Sequence, residues 1–449
     1  MIKSNNKKKI LTLLTITLAV VIVLSCVIGI FADRANISNF AGDISDSVIS
    51  TPLARPTTPT TGGFSYFTNG VKYVFTNKDK VDGFRAGTEQ FDMTTVIVNS
   101  SDVQGTQTNP HVITTIDEWE VFVKKMATDS THGTGQYYVL GNDLDFAGKA
   151  FHPIVNFKGT FYGLGYSLKN ITCDTWQYWT GSAYANIGAS NMALGGVGVF
   201  CRIMESTITD LIVRDYSFQN APANMTALNT NGPYVGGVAG TSYGNNNILN
   251  CHTVGEIRST ISYAMHPCAS GIVGIHYSSG NILLAYRCSA EVVVDCLPDS
   301  GHGLEAGGIV ALTSGATTYI YDCVANCKAT LSTGTTDWSG AAIGWASGPT
   351  YVENFVGTYS AITSKASAGG ALMGLSASAN GAQASNVYVE GRRGVSENAL
   401  TTSIRLASGT GKFAVANMSN INVVKISTNY ASLYNNITDA TTNITAIIN

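Results

Sequence analysis

The chain has 449 residues and a formal net charge of −3, with 12% charged residues, 45% hydrophobic ones, 47 glycines and 10 prolines. So much apolar material rules out a disordered chain, which needs low hydrophobicity and high net charge; glycine without a three-residue period rules out collagen. The near-neutral balance gives no overall pull toward nucleic acid, and a surface this poor in charge must be built mostly of Ser, Thr, Asn and Gly.

Residues 1–32 open with Lys3, Lys7, Lys8 and Lys9, then carry no charge from residue 10 to residue 32. A basic start before an apolar run is an export signal, and this run is also long enough to span a bilayer. Two fates stay open. Cleavage after Ala32 releases the body; retention makes the run a transmembrane anchor, with the lysines on the cytoplasmic side and the membrane as a partner. Cys26 follows Val23-Leu24-Ser25, a poor lipobox, and reads as one more apolar residue. Residues 33–63 are a linker, in which Pro52, Pro56 and Pro59 among threonines give an extended stalk.

Residues 64–110 alternate over 71–75 and 94–98, which predicts short strands. Thr115 with Glu118 then forms a capping box. Ile116, Trp119, Phe122 and Met126 fall at helical spacing, so a helix is expected, its apolar side covering the open end of a stacked sheet.

Residues 111–390 hold repeats. One column reads Gly236-Gly237-Val238-Ala239-Gly240, Ser270-Gly271-Ile272-Val273-Gly274, Gly307-Gly308-Ile309-Val310-Ala311, Gly340-Ala341-Ala342-Ile343-Gly344 and Gly370-Ala371-Leu372-Met373-Gly374, with steps of 34, 37, 33 and 30. A second column places a polar residue before Ile171, Leu211, Cys251, Cys288, Cys323, Phe355 and Val387, with steps of 40, 40, 37, 35, 32 and 32. Two columns marching together at this period mean a solenoid, a propeller or an array. Within a unit, apolar residues alternate and turn residues divide them, giving about three short strands with the glycine segment as one of them. Such units are mostly too short for propeller blades. The fold class expected is therefore all-β, a right-handed parallel β-helix whose coils stack like side chains inside. Cys251, Cys288 and Cys323 should pile up as small apolar fillers. The Asn, Asp and Arg before the column sit at a corner, where side chains can satisfy turn backbone. Residues 391–449, outside the repeat, are expected to add final coils and a C-terminal cap.

These columns resemble the GLUG-motif repeat of bacterial surface β-helix proteins over about residues 111–390. Tyr137-Tyr138-Val139-Leu140-Gly141-Asn142-Asp143-Leu144-Asp145-Phe146 and Gly159-Thr160-Phe161-Tyr162-Gly163-Leu164-Gly165 are similar to the opening coils of that family. The resemblance implies a β-helix at the cell surface. It implies little about activity, because the repeat accompanies adhesins, wall proteins and peptidases alike. Arg287, Ala311 and the Cys-free last units depart from the pattern.

The chemistry-bearing residues form no obvious centre. His252, His266, His276 and His302 lie among Cys251, Cys268, Cys288 and Cys296, but without zinc-ligand spacing, so neither metal nor cofactor is expected. Cys268, Cys296 and Cys327 lie outside the main column and are the thiols open to oxidation in an exported chain. Asp143 and Asp145 are the nearest acidic pair, and they read as structural; the later acids build no carboxylate pair of the kind a glycan-cleaving enzyme needs. Aromatics say more. Trp176, Tyr178, Trp179 and Tyr184 occupy an insertion between units, and Trp338 and Trp345 flank a later coil. Each is a candidate for stacking on sugar rings, against the alternative that it folds over the coil. The expectation is thus an exported surface module that binds a glycan or extracellular matrix ligand, with no nucleic-acid partner and oligomeric state open. The alternatives are a carbohydrate-active enzyme on a β-helix and a structural wall component.

Overall fold

A computed structural model describes residues 103–107, 109–186, 196–219, 233–258, 267–296, 303–331, 337–363, 369–376 and 382–395, with short strands at Ser65–Phe67, Thr95–Ile97, Thr402–Ser403 and Val415–Val423. The export segment and the Pro/Thr linker lie outside these residues. Among the described residues no helix is long and apolar enough to cross a membrane.

The architecture is a parallel β-helix. One coil shows its plan: Tyr234–Gly236, Ala239–Tyr243, Asn246–Leu249 and His252–Arg258 follow one another, and each pairs in parallel with its counterpart one coil on. The first sheet stacks Ile154–Phe157, Phe200–Met204, Ala239–Tyr243, Val273–Tyr277, Val310–Ser314, Ile343–Ala346 and Met373–Ser376. A short sheet stacks Tyr234–Gly236, Cys268–Ser270, Glu305–Gly307 and Trp338–Gly340. Seventeen further strands form a third sheet, while Ser65–Phe67 with Thr95–Ile97 and Gln177–Trp179 with Tyr184–Asn186 make two separate antiparallel pairs. The stacking continues past the last recognisable repeat, since Val415–Val423 pairs in parallel with Ala382–Gly394.

The glycine motif is not the strand that its sequence suggests. Gly237 and Val238 make the bend between the strands Tyr234–Gly236 and Ala239–Tyr243, so a coil has four segments where the sequence suggested about three. The reason is close approach between coils. A Cβ on Gly237 would lie 2.2 Å from the Gly271 carbonyl oxygen, and one on Gly308 would lie 2.1 Å from that of Ala341. Any side chain there would drive the coils apart.

The corner column also behaves differently from the expectation. Asn170, Asp210, Asn250, Arg287 and Asp322 all adopt left-handed backbone, with φ of 56°, 55°, 50°, 55° and 54°. Asn and Asp tolerate this conformation best. Their side chains reach along the stack rather than back to the turn: Asn170 Nδ2 donates to Asp145 Oδ1 at 2.8 Å and Asn250 Nδ2 to Asp210 Oδ1 at 2.7 Å. Arg287 keeps the same backbone, with its guanidinium 5.0 Å from the Tyr286 ring.

The adjacent apolar column is buried throughout, at Ile171, Leu211, Cys251, Cys288, Cys323, Phe355 and Val387. Register puts the three cysteines in single file: His252 faces Ser289, which faces Val324, and the Cys288 amide donates to Cys323 Sγ at 3.4 Å. The eight described cysteines are all free and buried. Burial pushes the Cys173 and Cys327 thiols up to about 12, so none of this sulfur is primed to react.

The helix α1, Ile116–Thr128, starts as its capping box requires: the Glu118 amide donates to Thr115 Oγ1 at 3.2 Å, and Thr115 N to Glu118 Oε2 at 3.1 Å. Its face of Trp119, Phe122, Val123 and Met126 joins the same core as the aromatics of the first coils. Trp119 lies 6.0 Å from Phe151 between ring centroids, and Phe122 lies 4.4 Å from Tyr138.

Candidate functional site

One register column of the first sheet points away from the main core, its ends Asn156, Arg202 and Trp345 half-buried and its middle members Thr241, Ile275 and Leu312 buried. Arg202 faces Asn156 on one side and Thr241 on the other; Ile275, Leu312 and Trp345 follow in register. Ile275 and Leu312 belong to an apolar cluster separate from the main core, against which Tyr234, Tyr277 and Trp345 pack half-buried. Trp338, outward on the neighbouring short sheet, brings its ring centroid to 4.5 Å from that of Trp345 at an interplanar angle of 45°. Tyr243 and Tyr277 form a second pair at 5.3 Å, with Tyr243 43% exposed. The two late tryptophans, far from striking as a sequence pair, thus become one aromatic platform because the short strand folds back beside the first sheet.

Beside Trp338 in its sheet lies Glu305, the register neighbour of both Cys268 and Trp338. It is 1% exposed, and the Cys268 thiol donates to its Oε2 at 2.7 Å. Burial raises its carboxyl to about 8 against a weaker opposing pull from that hydrogen bond, so at neutral pH this group beside Trp338 is mostly uncharged. At the other end of the column, Arg202 Nε and Asn156 Oδ1 are buried atoms without a hydrogen-bond partner. No hydrogen bond or ion pair is found for the Arg202 side chain among the described residues.

The four earlier aromatics do something else. Trp176 is wholly buried, and its indole Nε1 donates to the Gln219 carbonyl at 2.8 Å. It is core, not a surface platform; the expectation failed because a bulky indole in an insertion filled the space between coils. Tyr178, Trp179 and Tyr184 lie half-buried on a hairpin, Gln177–Trp179 with Tyr184–Asn186. That hairpin is fastened to α1. Tyr184 stacks on His152 at 3.6 Å, its hydroxyl donates to Glu120 Oε2, and His152 Nδ1 donates to Glu120 Oε1 at 2.8 Å. Lys124 Nζ sits 4.8 Å from the Trp179 centroid. Burial works to raise the Glu120 carboxyl, but the hydrogen bonds from His152 and Tyr184 outweigh it and hold the group below its ordinary value. Both Glu120 carboxylate oxygens, His152 Nδ1 and the Tyr184 hydroxyl are therefore partnered within the chain.

Other candidate groups are likewise engaged. Asp143 Oδ1 accepts from the Ser167 amide at 2.8 Å, and Asp145 pairs with Lys169 at 3.5 Å. His252 Nδ1 lies 2.8 Å from Ser289 Oγ and His276 Nδ1 lies 3.0 Å from Ser242 Oγ. Among the described residues no group of three or more His, Cys, Asp or Glu is placed to hold a metal ion. His266 and His302 lie outside them. Sequence reasoning missed Arg202, Tyr243 and Tyr277. A signal existed: Thr241, Ile275, Leu312 and Trp345 each follow the last residue of a glycine motif, and extending that column upstream reaches Arg202.

No protein-family model matches this chain. No curated protein matches it either. Solved structures do, two among them as follows. One is a Bacteroides ovatus protein whose assignment as an immunoglobulin A1 protease is itself provisional, at 16% identity and a TM-score of 0.41, covering 75% of this chain and 88% of that one. The other is an IgA1 protease, at 11% identity and a TM-score of 0.35, covering 84% of this chain and 26% of the other.

Proposed function

We propose that this chain is an exported surface β-helix that binds glycan through the platform of Trp338 and Trp345. The observation that carries the reading is the contrast in partners: the two indoles meet at 4.5 Å on an outward face, whereas the hairpin aromatics are fastened to α1. Paired outward indoles give the broad apolar surface that the face of a pyranose ring covers. The basic start, the apolar run, the Pro/Thr linker and the GLUG-like columns support display outside the cell.

The test is a glycan-array screen of the full chain beside Trp338→Ala and Trp345→Ala. Each substitution should cost about 2 kcal/mol of binding, the scale of a truncated hot-spot aromatic, with the melting temperature little changed. If no glycan binds, or if binding ignores both tryptophans, the reading is wrong.

A further inference from the structure

From the register column of Glu256, Val293 and Lys328 on the open face of the third sheet, we infer that two copies of this chain pair side by side and antiparallel, Val293 on Val293 and Glu256 of each copy against Lys328 of the other. The inference is independent of the glycan reading, whose platform lies on the other two sheets.

Three observations carry it. The first is exposure. Several side chains that point away from the main core are nevertheless sealed: Thr241, Ile275 and Leu312 on the first sheet, and Leu249, Leu284, Tyr319 and Tyr321 on the third, are at most 5% exposed. The strands His252–Arg258 and Ser289–Asp295, with the stretch around Lys328 in the next coil, differ. Their inward residues Ile257, Val292, Val294, Cys327 and Ala329 are buried in the main core, while the residues alternating with them are half-buried or exposed. Val293 is 37% exposed, an apolar side chain between two charged ones.

The second is charge. Thr172, Ser217, Glu256, Val293, Lys328, Ser360 and Arg392 follow one another in register, and Val293 is the middle member. A two-fold axis lying in this face along the strand of Val293 reverses the order of the coils and keeps the column. Glu256 of each copy then falls on Lys328 of the other, and the seven strands overlap fully. A two-fold along the solenoid axis would set Glu256 against Glu256 and Lys328 against Lys328, which repel. Sliding the antiparallel pair by one coil loses the match, because Glu256 then falls on Ser360 or on Val293. Within its own chain Glu256 pairs with Arg258 at 2.9 Å, both side chains nearly half exposed. Such a pair is worth little and can exchange partners.

The third is an unmatched atom. Glu291 shares the strand of Val293 and so also lies on the axis; its Oε2 is buried without a hydrogen-bond partner. The pairing brings it to Glu291 of the other copy, where a shared proton gives that oxygen a partner. Burial raises this carboxyl to about 7, so a proton is at hand near neutrality. Asp295 meets its counterpart too, but it is exposed and has Arg258 as its register neighbour, which together with salt limits the repulsion. Seven strands about 4.8 Å apart and roughly five residues wide give on the order of 500 Å² per copy, the small end for a specific interface, so the pairing is weak and governed by its charges.

The experiment is sedimentation velocity of the full chain, in a mild detergent that shields the apolar run of residues 10–32, at up to roughly 100 µM, as suits a small interface. The unaltered chain should form a dimer that added salt weakens. Glu256→Lys and Lys328→Glu should each weaken it about tenfold or more, with circular dichroism unchanged. Mixing these two variants should restore a dimer, because both contacts then join opposite charges. Val293→Arg should abolish association. A monomeric chain at the highest concentration overturns the inference, and so does a mixture that associates no better than either variant alone. A dimer lost in Val293→Arg but indifferent to both charge reversals overturns the antiparallel arrangement.

Discussion

Two aromatic clusters sit on one solenoid, and they differ in what their polar neighbours are doing. At the hairpin, Tyr184, His152, Glu120, Trp179 and Lys124 close on one another. Along the first sheet, Trp338 and Trp345 meet as rings while Arg202 and Asn156 hold unmatched polar atoms farther down the column. Composition alone does not separate the two, since both are rich in Trp and Tyr. Their contacts separate them: the hairpin aromatics are tied to α1 through Glu120, whereas Trp338 and Trp345 meet ring to ring.

Substitutions on the hairpin side should therefore change stability and leave ligand affinity alone. Trp176→Ala makes the largest change, because it opens a cavity and orphans the Gln219 carbonyl. A loss of about 3–5 kcal/mol is expected on denaturant unfolding, and an equally stable variant with weakened binding would reverse the contrast drawn here. Tyr184→Phe keeps the ring stacked on His152 and removes only the hydroxyl bonded to Glu120. About 1 kcal/mol should be lost, together with a rise in the Glu120 pKa toward its ordinary value, readable by NMR titration.

A pH dependence is expected from the buried carboxyl beside Trp338. Glu305 is raised to about 8 by burial, so the folded chain keeps a proton that the unfolded chain releases above its ordinary value of 4.5. Its contribution is full below that value and fades as pH rises toward 8. His252 and His276 run the opposite way: burial lowers both to about 4, so their contribution is full above 6.5 and fades as pH falls toward 4. Melting temperature should thus decline on both sides of a mildly acidic maximum, and Glu305→Gln should flatten the alkaline limb only. An unaltered alkaline limb in that variant would show that Glu305 is not the titrating group.

Much of this was legible in the chain. Stacked coils impose a repeat on every inward position, so Cys251, Cys288 and Cys323 announced their single file by spacing alone. Thr115 and Glu118 announced the start of α1 because a capping box is local. The glycine motif misled for a non-local reason: its residues are small because the next coil passes within van der Waals distance, and nothing in a single unit says whether that contact falls in a strand or at a turn. Trp176 misled likewise, since the space that swallows it is bounded by residues more than forty positions away, at Gln219.

By itself the sequence determined the period, the inward columns and the place of the corner residues, because each is a requirement that every coil repeats. Only the tertiary structure decided which outward side chains meet. The short strand carrying Trp338 had to fold beside the sheet carrying Trp345 before the pair could be told from the aromatics that hold the hairpin to α1. Contacts across coils depend on how the turns between strands are closed, and that geometry is written in no single repeat.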